Sequence, residues 1–254
     1  MSLRPNDNTM TDSANFYSKT FFLNASECNA QQVIPLPQLV QRLNDTATLH
    51  SSALKAGPRD LKEIGLTWVL SRLTMEFDSF PSMDCEFTVE TWVESINRHF
   101  TERAFRIKDG DGNTIGNVRT IWTAMDIKTR RTADITVLMS HVTPTPGVCP
   151  VKRQSKIQAV TDPDLIRRHR FSYCDIDFNR HVNSTRYIET ILNDRKVEFF
   201  DSHSIIRFEI AYLSEIHYDD TVEIARHSDG TTSTIEILRD GAPVTRCRIE
   251  YRLK

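Results

Sequence analysis

The chain reads as an α+β protein built from two tandem units, each a long helix followed by an antiparallel sheet. Three observations predict this. A segment with helical apolar spacing occurs twice, each time after a short strand segment. After each helix come runs in which apolar and polar residues alternate, the period of half-buried antiparallel strands. Short sequences also return in the same order: Thr88-Val-Glu90 recurs as Thr221-Val-Glu223, 133 residues on, and Asp109-Gly110 as Asp240-Gly241, 131 residues on. Such a shared order with a nearly constant offset marks an internal duplication.

Taken in order, the first unit opens with an aromatic-rich strand over 16–23. Pro35-Leu-Pro then starts a helix over about 37–54, with Leu36, Leu39, Val40, Leu43 and Ala47 at helical spacing. Gly57-Pro58 breaks it. Strands follow around Leu66, Trp68 and Leu70, around Phe87, Val89, Thr91 and Val93, and around Phe105 and Ile107, before the turn Asp109-Gly-Asp-Gly; another carries Val118, Ile121, Thr123 and Met125. Residues 131–168 contain Pro144, Pro146, Gly147 and Pro150 and have the composition of a linker. Beyond it the order repeats: a strand from Arg170, a helix over 183 to about 200, and strands carrying Ile206 to Tyr212, Val222 and Ile224, Ile235 and Ile237, and Cys247 to Leu253.

A lone helix can bury its apolar stripe only against one face of its sheet, which leaves an edge exposed. Two such units side by side solve the problem, and the expected architecture is a double hot-dog: an N-terminal unit over 15–130, a linker over 131–168 and a C-terminal unit over 169–254. An apolar channel between helix and sheet, or between the halves, suits a fatty chain. Pairing of the two units within one chain leaves a monomer or a homodimer as the expected state.

Composition narrows the function. The chain has 254 residues, 39% hydrophobic and 26% charged, ordinary for a globular protein, and its net charge of −2 argues against a dedicated nucleic-acid binder. No apolar run approaches the roughly 18 residues that cross a bilayer. The start, MSLRPNDNTMTDSANF, lacks the apolar core of a signal peptide and the character of a transit peptide, so a cytoplasmic address is expected. Cys28, Cys85, Cys149, Cys174 and Cys247 are odd in number and contain no C-x-x-C pair, which indicates reduced thiols. Cys174 reads as a small apolar strand residue rather than a nucleophile.

Chemistry concentrates in residues 173–187, YCDIDFNRHVNSTRY. Asp177, Asn179 and His181 fall on every second residue, so in an extended segment all three point to one side. Asn183 can cap the helix that follows, placing the cluster at a helix N-terminus, where unpaired N–H groups suit an anionic ligand or an oxyanion. Asp and Asn are also common turn formers, and the residues by themselves leave both readings open.

The segment Asp177-Phe-Asn179-Arg-His181-Val-Asn183 resembles the D-x-N-x-H-V-N signature of acyl-ACP thioesterases. Trp68-Val-Leu-Ser-Arg-Leu73 and Thr91-Trp92 resemble that family's first hot-dog unit. Members carry a catalytic glutamate about 34 residues after the histidine, and Glu215 stands 34 residues after His181. In the plant enzymes a cysteine usually follows that glutamate; here Ile216 does, which argues against a catalytic thiol and, with the start of the chain, points to a bacterial cytosolic relative. The resemblance implies hydrolysis of fatty acyl-acyl carrier protein without metal or cofactor. It implies Glu215 as general base, His181 orienting water or sharing its proton, Asn179 donating to the carbonyl or water, and Asp177 holding Asn179 and His181 in place.

Other readings stay beside it: a hot-dog acyl-CoA thioesterase, an enoyl-thioester hydratase, or a non-catalytic acyl-binding module. Asp177, His181 and Glu215 also read as metal ligands, though no second histidine stands at a familiar spacing, and no G-x-S-x-G elbow supports a serine triad. At the repeat offset Ser82 takes the place of Glu215, so one active site per chain is expected. Arg167, Arg168, Arg170, Arg180 and Arg186 form a basic neighbourhood suited to steering an acidic carrier protein with its phosphopantetheine arm.

Overall fold

A computed structural model describes residues 15–254; residues 1–14, most of the stretch read as lacking a signal or transit segment, lie outside it. The first unit runs β1 (Phe16–Phe22), α1 (Leu36–Ala53), α2 (Pro58–Glu63), β2 (Leu66–Phe77), β3 (Glu86–Ile96), β4 (Phe100–Lys108) and β5 (Thr114–Asp126). The second runs β6 (Leu165–Arg170), α3 (Ser184–Leu192), α4 (Val197–Ser202), β7 (His203–Tyr212), β8 (Thr221–Asp229), β9 (Thr232–Arg239) and β10 (Ala242–Leu253).

All the strands join one antiparallel sheet in the order β1-β3-β4-β5-β2-β7-β10-β9-β8-β6. Read inward from either edge the succession is the same, so the duplication seen in the sequence is a duplication of topology. Thr88 and Thr221 sit in the corresponding strands β3 and β8, and the two Asp-Gly pairs turn the corresponding hairpins. At Asp240 and Gly241 both φ angles are positive, 51° and 76°, as a two-residue hairpin turn matching strand twist requires. The units meet where β2 pairs with β7, from Arg72 opposite Ala211 to Glu76 opposite Arg207.

Both long helices lie on one face of this sheet. Leu39, Val40 and Leu43 of α1 share a single core with Tyr187, Ile188 and Ile191 of α3 and with Met75, Phe105, Phe208 and Ile237 from strands of both units. Each such buried side chain contributes about 1.5–3 kcal/mol, and together they fix how the helices ride over the sheet. Pro37 lies in the first turn of α1, where its missing N–H costs nothing.

Four sequence readings change in detail. The helix foreseen over 183–200 is two helices, because the chain turns at residues 193–196. There Asp194, its side chain only 2% exposed, leaves the helix to receive Arg167 and Arg226. The strand expected from Arg170 ends there instead, paired from Leu165 with β8. Gly57-Pro58 breaks one helix and also starts α2, Pro58 being its first residue. Cys174 is exposed on the short 3-10 turn Tyr173–Asp175, not in a strand; all five cysteines are free.

The segment of linker composition is also not slack. Ile135, Met139 and Val142 pack with Leu61 and Val93, and then Cys149 and Val151 cover Trp92 and Ala104 on the sheet's outer face. There buried Glu94 accepts the Trp92 indole N–H at 2.9 Å and the backbone N–H of Gly147 at 3.1 Å, and pairs with Arg119 at 3.4 Å. Turn residues in a sequence report local flexibility; they do not reveal which buried polar groups wait for their backbone.

Candidate active site

Residues 175–183 form a tight loop rather than an extended segment. Ile176 bridges Val182, the Asp177 N–H donates to the His181 carbonyl at 2.8 Å, and Arg180 takes a left-handed φ of 66°. Asp177 Oδ1 accepts the backbone N–H groups of Asn179 at 2.8 Å and His181 at 3.3 Å. The three side chains are therefore gathered by an Asx turn and not by strand alternation. Asn183 caps α3 as expected, accepting the Thr185 N–H at 3.0 Å. The amides of Val182 and Asn183 are also taken, by Ile216 and Asp175. The helix N-terminus thus offers fewer free donors than the sequence suggested.

Glu215, just beyond β7, reaches the loop. The Val182 N–H donates to the Ile216 carbonyl at 2.8 Å, and the Ile216 N–H donates to the Tyr187 hydroxyl at 3.1 Å. This ties the strand end to α3. His181 Nε2 stands 3.4 Å from Glu215 Oε2, with side chains 21% and 31% exposed. The other carboxylate oxygen, Oε1, is held by Arg130, a residue of the first unit. No spacing could have announced Arg130, 85 residues away in the other half of the duplication.

Burial is the main cause that depresses the His181 pKa below its usual value; Arg130 and His217 push the same way, and Asp177 opposes them. The imidazole is therefore neutral near pH 7. The carboxamide of Asn179 has no protein partner among the described residues and lines the same cavity as His181 and Glu215. That cavity, about 810 Å³, runs beneath α1 against β2, β4 and β5, with Trp68, Leu70, Trp122 and Met139 in its wall. Its wall is thus mostly first unit, and the part that carries Asn179, His181 and Glu215 is second unit. Among the described residues no group of three or more His, Cys, Asp or Glu side chains is arranged to hold a metal ion.

The first unit carries the same loop without the chemistry. The Asn29 N–H donates to the Val33 carbonyl at 2.9 Å, Asn29 Oδ1 accepts the N–H groups of Gln31 and Val33, and Gln32 takes φ 60°. The Ile34 N–H donates to the Pro81 carbonyl at 3.0 Å, as the Val182 N–H does to Ile216. Asn29, Gln31 and Val33 therefore stand for Asp177, Asn179 and His181. Phe80 stands for Glu215, not Ser82 as the repeat offset suggested. The basic neighbourhood is also largely spent: Arg167, Arg170 and Arg186 pair with Asp194, Asp219 and Glu189, leaving Arg168 and Arg180 exposed and without ion pairs among the described residues.

Two joined hot-dog units and a histidine–carboxylate pair at the mouth of a long cavity define a double hot-dog protein with one chemically equipped site. Residues 14–139 match the acyl-ACP thioesterase N-terminal domain and residues 158–253 the C-terminal domain, so the chain belongs to the acyl-ACP thioesterase family. It is similar to an acyl-ACP thioesterase structure from Bacteroides thetaiotaomicron, at 31% identity and TM-score 0.85 over 93% of this chain and 98% of that one. The 12:0-ACP thioesterase of Umbellularia californica, at 21% identity, shares the fold with TM-score 0.87 over 97% and 100%. A chloroplastic palmitoyl-acyl carrier protein thioesterase of Gossypium hirsutum is 24% identical over 94% of this chain and 64% of its own length. The chain thus spans just under two thirds of the curated relatives it matches first.

Proposed function

We propose that this protein hydrolyses fatty acyl-acyl carrier protein to free fatty acid and holo-carrier protein, a step of fatty acid biosynthesis in the cytoplasm. The observation that carries the reading is the neutral His181 imidazole 3.4 Å from the Glu215 carboxylate at the end of an 810 Å³ cavity. The carrier-bound substrate is taken over from what the relatives' names say of them. Free thiols throughout the chain accord with a reducing compartment. The division into units over 15–130 and 169–254, joined by 131–168, belongs to the same reading; β2–β7 pairing within the chain requires no second copy.

Water enters beside Glu215, which takes its proton while its oxygen adds to the thioester carbonyl carbon. His181 orients that water and shares the proton. The Asn179 carboxamide donates to the carbonyl oxygen as negative charge develops, and Asp177 acts by holding the loop. The tetrahedral intermediate collapses with cleavage of the carbon–sulfur bond, and the thiolate recovers the proton. Arg130 holds Glu215 toward His181.

Mass spectrometry of a saturated and an enoyl-loaded carrier protein, incubated with wild type and with Glu215→Gln and His181→Ala, tests the reading. Conversion to holo-carrier by wild type, slowed 10²–10⁴-fold in the variants, is expected. Gain of one water on the enoyl carrier without loss of the chain means a hydratase, and stable binding without either product means an acyl-binding module.

A further inference from the structure

The cavity contains a cation that no carboxylate among the described residues neutralises. Arg103, on β4, is 6% exposed and lines the cavity, with its pKa lowered to about 10 by burial. Nη1 is 2.8 Å from His50 Nδ1 and donates to Thr91 Oγ1 at 3.2 Å. Burial, then Arg103, lowers the His50 pKa to about 3, so the imidazole is neutral and adds no charge. Among the described residues no carboxylate reaches Arg103 and no partner meets its Nε or Nη2, which open onto the cavity, while His50 Nε2 is buried without a partner.

Other buried arginines of this chain are mostly met by carboxylates, and Arg195, which is not, sits on the Phe199 ring and donates to the Ser228 and Ser233 hydroxyls. Arg119 meets Glu94 and Glu102, Arg207 meets Glu76 and Glu209, and Arg226 meets Asp164 and Asp194. Burying an unpaired charge is costly, so an open set of guanidinium donors inside a cavity calls for an acceptor from outside the protein. A hydrocarbon tail cannot supply one. The cavity's polar lining from α1, including Asn44, Thr48 and Ser51, is likewise unlike a slot for bare methylenes.

Position says which part of a substrate meets Arg103. The residue lies in the row Arg103–Thr120–Leu73–Ile210 across β4, β5, β2 and β7. That is three interstrand spacings, about 14 Å, from the strand that leads to Glu215. With the thioester at Glu215, the far part of the acyl chain reaches Arg103. Resting on the thioesterase reading of this site, we propose that the cavity selects acyl thioesters bearing an oxygen acceptor near the far end of the chain, a hydroxyl or a carboxylate, over plain hydrocarbon chains.

The test uses carrier protein loaded with decanoyl, 10-hydroxydecanoyl or 9-carboxynonanoyl chains, with wild type, Arg103→Leu and Arg103→Met. Wild type is expected to favour at least one oxygenated chain over decanoyl in kcat/KM by about tenfold or more, the size of one charge-assisted hydrogen bond. The variants are expected to lose that preference. Oxygenated and plain chains within threefold in wild type, or a preference that survives both variants, overturns it. Calorimetric binding of monomethyl decanedioate against methyl decanoate, which lacks a carboxylate, keeps the inference separate from turnover. If no thioester is cleaved yet the acid ester binds tenfold tighter only with Arg103 present, the hydrolase reading fails and the subsite stands; equal binding overturns the subsite. A raised Tm in Arg103→Leu shows that the variant is folded and relieved of a buried charge.

Discussion

Glu215 is gripped from two directions, by His181 of its own unit and by Arg130 of the other. This arrangement gives His181 a measurable signature. Since burial and Arg130 both lower its pKa below 6.5, the imidazole stays neutral until the pH falls under that value. The acid limb of kcat/KM is expected below pH 6.5. Removing the neighbouring positive charge favours the imidazolium, so Arg130→Met should move the limb to higher pH; an unmoved profile would contradict the electrostatic coupling. Arg180, exposed on the loop, is expected to serve carrier docking: Arg180→Glu should lower kcat/KM at low salt and lose that effect as salt screens it. A short motif and one spacing singled out Asp177, Asn179, His181 and Glu215 as candidates, and the fold brings the four to one cavity. The sequence misplaced their geometry, since alternation is visible in letters and a left-handed residue such as Arg180 is not. Arg130 was invisible because its partner is chosen by the fold.

The helix α1 walls the site, the strap over residues 147–151 covers the opposite face of the sheet, and both report on stability. His50 on α1 faces Arg103 and stacks on Tyr17, ring centroids 5.9 Å apart. Its pKa of about 3 in the folded chain lies below the unfolded value of 6.5. The unfolded chain therefore binds a proton first, and folding stability falls as pH drops from about 6.5 toward 3. At the limiting slope of about 1.4 kcal/mol per pH unit the loss reaches about 2 kcal/mol at pH 5. Urea unfolding of His50→Gln across that range should give a flatter pH dependence than wild type. Glu94, 4% exposed beneath the strap, gathers an arginine, an indole and backbone amides. Glu94→Ala leaves the Trp92 indole and the strap amides without their acceptor, while Arg119 keeps Glu102, and should cost about 3–5 kcal/mol of unfolding free energy; a loss under 1 kcal/mol would show the strap to be incidental. Elements were legible where periodicity is long, as in α1 and the β8–β9–β10 meander. They were not where a single buried acid decides a boundary, as Asp194 does at the end of α3.

Across the whole molecule the duplication has divided labour. Both units keep the loop, the helix and the sheet order, but Val33 and Phe80 occupy the places of His181 and Glu215, while the first unit's sheet and helix wall the cavity. The β2–β7 joint brings the cavity wall of one unit against the His181–Glu215 pair of the other. The double hot-dog was legible because two matching series of elements, each with an unsatisfied sheet face, have few ways to cover one another. The unpaired Arg103 was not, since it looks in sequence like any charged residue on an alternating strand. The central claim is tested most directly by thiol release from one fatty acyl chain offered on carrier protein and on CoA, with wild type and Glu215→Gln. Release from the carrier-bound chain is expected to be at least about tenfold more efficient than from CoA, and to be lost in Glu215→Gln. Release confined to CoA would contradict the carrier assignment, and no release from either would contradict hydrolysis itself.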